Sequence, residues 1–499
     1  MRKTLLLLSL FIATNAIGQE VDLDCQRLSA RDIDGTARYV GLAGAMTAIG
    51  GDPSAVMDNP AGLGIYRHSE VMVTLGVRPE TTMPLDTRKR WTSTRVDAKQ
   101  ISAVFALTNP YKTSGIVSNN FMIGFQRMKT YDSRYQISGT GKDNSLTHVA
   151  AAKVSNRKDM VITENMIANE GADASIKRWY ENEEIGWLSG MMYHTYLINP
   201  NGTDTTYSSL LRDGESYAYD MVVEELGHRN HFSVDYSMNI SNRFYWGLGL
   251  NIHWLDYYKS TTYMEQFGSE NFTNSTMLQL KGIGVNGSIG FLYRPVKAFR
   301  IGASFQTPTI MKLQQATDGK IVANIEMFDS TGTKRSTETI SKLAPYVNRN
   351  EFTRYSMPLQ FSVSPAVQIG KYALIAFQYD LSHWKNTFDI HTFKVGFEGV
   401  IKDSWMVEAG YAYESSLLKE QPIYSVNPVS IRLDTDWRNI RHSHYASLGV
   451  GYHGEWAIVH AAYQCRIQNS DVYAHEMASP TPMRTLTHSI VVTIAWHSL

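Results

Sequence analysis

Along much of the chain, apolar and polar residues alternate strictly. Phe232, Val234, Tyr236, Met238 and Ile240 are separated by His231, Ser233, Asp235, Ser237 and Asn239. Phe244, Trp246, Leu248, Leu250, Ile252 and Trp254 repeat the pattern against Tyr245, Gly247, Gly249, Asn251 and His253. A period of two belongs to a strand with one apolar and one polar face. Fourteen segments read this way, near 70–78, 99–108, 119–138, 230–240, 243–263, 276–293, 299–310, 353–369, 372–382, 388–399, 405–415, 444–452, 456–468 and 487–498.

The connections between them fall into two alternating classes. Ser241-Asn242, Arg294 to Ala298, Gly370-Lys371, Ile401 to Ser404 and His453 to Glu455 are short. Pro79 to Ala98, Gly139 to Arg229, Thr317 to Phe352, Leu417 to Ser443 and Asn469 to Thr485 are long. An even strand count with short turns at one end and long loops at the other is the pattern of a bacterial outer-membrane barrel. A soluble β-sandwich also alternates, but its strands average about 5–6 residues, and nothing in it requires long loops at a single end. The expected fold is all-β, a fourteen-stranded antiparallel barrel facing lipid.

Parity then places Leu248 toward lipid and Asn251 in the lumen. Cys465 shares a face with Ala457, Val459, Ala461, Tyr463 and Ile467, so it should point outward, beyond reach of a lumenal Cys25. The stretch from Lys142 to Asn199 breaks the alternation and is partly helical, with many Met, Trp and Tyr residues. It reads either as a large loop folded on itself or as an apolar landing surface for a greasy ligand.

Composition agrees with a molecule that has a wet side and a greasy side. Charged residues are only 19%, while aromatics reach 11%, with 28 Tyr and 10 Trp. Lys+Arg and Asp+Glu balance at 47 each, which gives no reason to expect nucleic acid as a partner. Residues 1–18, MRKTLLLLSLFIATNAIG, have the charged start, short apolar core and small-residue end of a secretory signal, with cleavage expected before Gln19. No later stretch has the roughly 18 apolar residues of a membrane helix. Two cysteines make no disulfide framework.

Gly35 to Gly64 reads GTARYVGLAGAMTAIGGDPSAVMDNPAGLG. It lacks the lysine-serine ending of a phosphate loop, and it is too rich in Val, Leu, Met and Ile for a flexible linker. Small residues interleaved with aliphatics, and a turn at Asn59-Pro60, suit a compact segment packed inside something narrow.

With Asp52, Ser54 and Ala55 ahead of Asn59-Pro60-Ala61-Gly62-Leu63, this segment resembles the hatch of the FadL/TodX outer-membrane transporters of hydrophobic compounds. Gly282 to Pro308, GIGVNGSIGFLYRPVKAFRIGASFQTP, is similar to that family's middle strands. The resemblance implies a hatch over residues 19–69 and a barrel over 70–499, with a large extracellular loop at about 139–229. It also implies ligand capture by loops, hatch rearrangement, and lateral exit where the third strand kinks. Gly124, beside Phe125, is the candidate kink, or else a glycine that makes room for the plug. One departure is the ending His497-Ser498-Leu499, where such barrels usually close on an aromatic; Trp496 is near.

Fifteen histidines raise the question of metal or haem, and His442-Ser443-His444 is the pair to consider. No H-E-x-x-H, paired CxxC or EF-hand spacing occurs, so no cofactor or metal is expected. No G-x-S-x-G stands out either, and an enzyme is not expected. The resulting expectation is a monomeric outer-membrane channel for passive uptake of fatty acids, aromatic compounds or similar molecules, surrounded by outer-membrane lipid and lipopolysaccharide. The alternatives are a secretion-system shuttle that binds exported proteins and a haem-binding receptor.

Overall fold

The computed structural model describes residues 27–497, apart from 87–88, 110, 156–178, 180–185, 202–205, 329–331, 343–349, 385–388, 403 and 417–434. The signal segment and Cys25 lie outside the described residues. The alternating segments pair as antiparallel neighbours in chain order. They are β1 (Glu70–Pro84), β2 (Trp91–Thr108), β3 (Ile116–Thr130 and Ser133–Lys142), β4 (Ser216–Ile240) and β5 (Phe244–Phe267). Next come β6 (Glu270–Val296), β7 (Phe299–Gln306 and Ile310–Phe328) and β8 (Lys334–Lys342, Asn350–Ser356 and Leu359–Ile369). The wall is completed by β9 (Ala373–His383), β10 (Asp389–Ile401), β11 (Trp405–Glu414), β12 (Trp437–His453), β13 (Ala457–Tyr473) and β14 (Thr481–His497). The 18 paired segments make fourteen strands, because β3 and β7 are broken once and β8 twice. β1 also pairs with β14, Val73 opposite Ile494 and Val77 opposite Ile490, so the sheet closes on itself.

The strands run further than alternation predicts. β4 starts at Ser216 and β6 has 27 residues. Parts of the stretches read as long loops are therefore strand, including Pro79–Pro84, Thr317–Phe328 and Trp437–Ser443. The reason is chemical. Beyond the apolar band the outward positions turn polar, as at Asn271, Thr273 and Ser275 on β6, and the period of two disappears from the sequence while the hydrogen-bond ladder continues.

The band itself follows parity. Leu248, Leu250 and Leu448 are 46%, 59% and 65% exposed on the outer face. A continuous belt of exposed apolar side chains around a closed barrel needs lipid to cover it. Cys465 is half-buried on this face, opposite Ala446 and His488. Asn251 faces the lumen but is not free there: its side chain bonds His231 at 2.9 Å and Asn286 at 2.7 Å.

The N-terminal residues run inside the barrel as α1 (Ala37–Gly41), α2 (Pro53–Asp58) and a 3-10 turn (Pro60–Ile65). At the long-loop end, α3 (Leu146–Val154), α4 (Gly186–His194) and a small ribbon (Ile198–Pro200 with Tyr207–Ser209) fill the mouth. Glu265 on β5 anchors the start of α3, accepting from Leu146 N at 2.8 Å and from the N-cap Ser145 hydroxyl. Trp179, Met191, Met192 and Ile198 are fully buried against Tyr263, Phe272 and Ile321 of the wall. In the described part of this loop these side chains therefore form the loop's own core, while Tyr196 is 49% exposed.

Candidate functional site

The hatch motif residues are structural joints. Asp52 caps α2, its Oδ1 accepting from Ser54 N at 2.9 Å and Ala55 N at 3.3 Å, with Pro53 preset for the first turn. Its Oδ2 accepts from the Thr36 hydroxyl at 2.6 Å, and Ser54 Oγ accepts from Thr36 N at 2.9 Å, which ties α1 to α2. Burial pushes the Asp52 carboxyl upward in pKa, against the opposing pull of Thr36 and Arg38. Asn59 Oδ1 accepts from Ala61 N at 3.1 Å, and its Nδ2 donates to Thr47 O at 2.8 Å and to Phe291 O in the wall at 3.3 Å. Gly62 lies against Gly50, where an added Cβ would sit 2.7 Å from Gly62 Cα. Leu63 packs with Val56, Met57, Val104 and Met122.

The wall receives this backbone through glycines of its own. A Cβ at Gly247 would lie 2.5 Å from both C and O of Pro60 and 2.7 Å from Ala61 N. Gly290 faces Asn59 and Pro60, Gly302 faces Thr47 and Ala48, and Gly410 faces Leu42 and Ala43 in the same way. At these lumen-facing glycines the wall and the hatch backbone come into contact. Parity could have revealed these positions in the sequence, but only once the hatch was known to lie opposite them.

Ion pairs lock the hatch to distant strands. Asp32 meets Arg78 on β1 at 2.5 Å, Lys129 on β3 at 2.6 Å and Arg466 on β13 at 2.6 Å. Burial alone would raise its pKa, but these three cations hold it well below the usual carboxylate range. Glu80 joins Arg78 at 3.2 Å and Arg466 at 3.3 Å. Arg38 of α1 pairs with Glu398 on β10 at 2.6 Å. These partners are up to 434 residues apart, and no local pattern announces them.

The same corner holds an opening. The β2–β3 ladder runs from Thr108 opposite Ser118 to Gln100 opposite Gln126, then stops. β2 continues, paired only with β1, to Trp91 opposite Thr82. β3 continues, paired only with β4, through a shift at Arg127–Lys129 and a break at Tyr131-Asp132. Gly124 does not mark this bend. It sits in unbroken ladders between Ser102 and Ser233, and a Cβ there would lie 2.5 Å from Met57 Cε of the hatch. Phe125 faces outward, its ring 5.7 Å from that of Trp254. Beyond the bulge at Arg127–Lys129, Tyr131 turns inward and its hydroxyl donates to Leu28 O at 2.8 Å. Side-chain ion pairs span the opening: Arg95 with Asp132, and Arg127 with Asp97 at 3.1 Å.

Above the hatch lies a small cavity, partly open to solvent, lined by Arg31, Tyr39, Gln360, Asp380, Trp384 and Lys394 among others. Lys394 and Asp380 pair at 2.8 Å. Beside it, Leu28 packs with Leu255, Leu280, Met311, Leu313 and Met357 in a closed apolar cluster. His442 and His444 are elsewhere. They lie on the outer face, His442 Nε2 bonded to Asn469 at 2.9 Å and His444 Nδ1 to Tyr411 at 2.8 Å. Among the described residues, no group of three or more side chains is arranged to hold a metal ion.

No family model and no curated protein matches the chain. Among solved structures, a FadL homologue of Pseudomonas aeruginosa superposes with a TM-score of 0.52 at 10% identity, covering 94% of this chain and 99% of that one. The toluene transporter TodX of Pseudomonas putida gives 0.49 at 11%, covering 94% and 99%. The toluene transporter TbuX of Ralstonia pickettii gives 0.47 at 12%, covering 94% and 99%. With its fourteen-stranded closed wall and its lumenal N-terminal segment, the chain has the fold of the FadL-type barrel.

Proposed function

We propose that the chain is an integral outer-membrane channel for passive uptake of small hydrophobic molecules, which leave sideways between β2 and β3 after the hatch shifts. The observation that carries this reading is the ladder that stops at Gln100–Gln126 while both strands continue. Unpaired strand edges in a lipid-facing wall are costly, so an opening there needs a purpose. Outward-facing Val77 and Val96 flank it, 37% and 72% exposed, and would meet a solute released into the bilayer. The ion pairs across the opening and the hub at Asp32 keep it shut until the hatch moves. Structures of the same fold include transporters of toluene and a FadL homologue, and monoaromatic hydrocarbons and fatty acids are the substrates to test first. The protein works as a monomer, without cofactor or chemistry.

A disulfide across the opening tests this. Arg95→Cys with Asp132→Cys, oxidised, should abolish uptake of labelled toluene and oleate by cells without another such channel, and reductant should restore it. Full uptake by the cross-linked protein would refute lateral exit.

A further inference from the structure

On three successive hairpins, a tyrosine hydroxyl on the outer face meets a histidine of the next strand. Tyr379 bonds His391 Nδ1 at 2.8 Å, Tyr411 bonds His444 Nδ1 at 2.8 Å and Tyr463 bonds His488 Nδ1 at 2.6 Å. Amphipathic rings with a wet end collect at a membrane–water boundary, so this row marks the upper edge of the band. Just beyond it the surface changes character. On β13 the outward apolar run ends at Ile467, and the next outward positions are Asn469 and Asp471. On β14 the sequence passes in the same way from Leu486 to Arg484, which is exposed.

β12 carries a bulge at this level. Ile440 pairs with Ser470 and His442 with Asn469, leaving Arg441 as the extra residue. A bulge re-aims side chains, and here Arg441 and His442 both line one depression with Leu85, Asn469, Asp471 and Arg484. Each guanidinium in it is oriented through its Nε. Arg441 Nε donates to Asp471 at 2.5 Å, and Arg484 Nε donates to Asn469 Oδ1 at 3.2 Å. Asn469 is itself fixed by donating to His442 Nε2 at 2.9 Å. Asp471 is buried behind Arg441, and Arg484 has no carboxylate partner among the described residues.

We infer that this depression binds the phosphorylated headgroup of an outer-leaflet glycolipid, with its acyl chains lying on the apolar band below. Two guanidiniums held at a lipid boundary match a phosphate, which accepts paired N–H donors. The inference rests on the long-loop end facing the outer leaflet, and not on what the channel carries.

The full-length protein in phosphatidylcholine nanodiscs, titrated with bis-phosphorylated lipid A and followed by native mass spectrometry, tests it. The parent should retain lipid A, and Arg441→Gln with Arg484→Gln should weaken retention by about tenfold or more, at roughly 1 kcal/mol per cation. Arg484→Lys should lose only part of it. Arg294→Gln, near the short-turn end of β6, should change nothing. Heat-modifiable gel mobility would show that each variant is folded. Equal retention of dephosphorylated lipid A, or parent-like binding by the double variant, would overturn the site. Tight binding of inorganic phosphate alone would also overturn it, by making the depression an anion site with no lipid in its recognition. A parent that ignores lipid A while still moving toluene would sink this inference and leave the transport reading standing.

Discussion

Gly247→Ala places one methyl group between the wall and the hatch. Its three nearest neighbours would be Pro60 C, Pro60 O and Ala61 N, at 2.5, 2.5 and 2.7 Å. Ordinary contact begins at 3.4 Å, so the hatch turn must retreat by close to an ångström. All three neighbours are backbone, so no side chain can swing away. Overpacking of this kind costs about 1–3 kcal/mol, and the simplest relief is for the hatch turn to leave its seat. Each 1.4 kcal/mol is about a factor of ten in an equilibrium, so the docked hatch should be disfavoured by roughly 5- to 150-fold. Gly287→Ala on β6 is the matched control, since the nearest atom to its Cβ would be Gly249 O at 3.9 Å. In planar bilayers Gly247→Ala should open to small ions far more often than the parent, and Gly287→Ala should not. Conductance and melting unchanged in Gly247→Ala would refute the idea that glycines in the wall seat the hatch.

Further outcomes follow from the wall and the hub. Leu248→Arg, at a lipid-facing position 46% exposed, should cost about 2–4 kcal/mol in denaturant titrations in lipid. Asn251→Ala should also cost about 1–3 kcal/mol, because His231 and Asn286 lose a buried partner. Asp32→Asn should loosen the hatch at neutral pH, read as a rise in conductance. Because Asp32 is held below the ordinary carboxylate pKa, its grip is complete above about pH 4 and is lost as pH falls further. The parent should therefore open on strong acidification, and Asp32→Asn should lack that step. A variant that opens along the parent's pH curve would assign the response to other groups.

The lower wall was legible because lipid on one side and a wet lumen on the other impose strict alternation, as in Phe244 to Trp254. The ends of the upper wall were not, since outward residues such as Ser275 are polar like their inward neighbours and follow no period. The Asn59-Pro60 turn was legible because a short polar side chain before proline acts on its own backbone, and here it does. Gly124 stayed open between a bend and room for the plug because a glycine that admits a methionine from elsewhere looks, in one dimension, like a glycine that bends a strand. The Asp32 hub left no local trace, as its partners come from β1, β3 and β13.

That hub also has a temporal side. Asp32 lies near the start of the described residues, yet Arg466 belongs to the next-to-last strand, and Ala37 N donates to Thr493 Oγ1 on the last strand at 2.7 Å. Contacts of such long sequence separation form late. The N-terminal segment must therefore wait, unseated, until the final hairpin has zipped to β1. Seating of the hatch becomes the last event of assembly, and an unseated N-terminus marks a barrel whose seam has not yet closed.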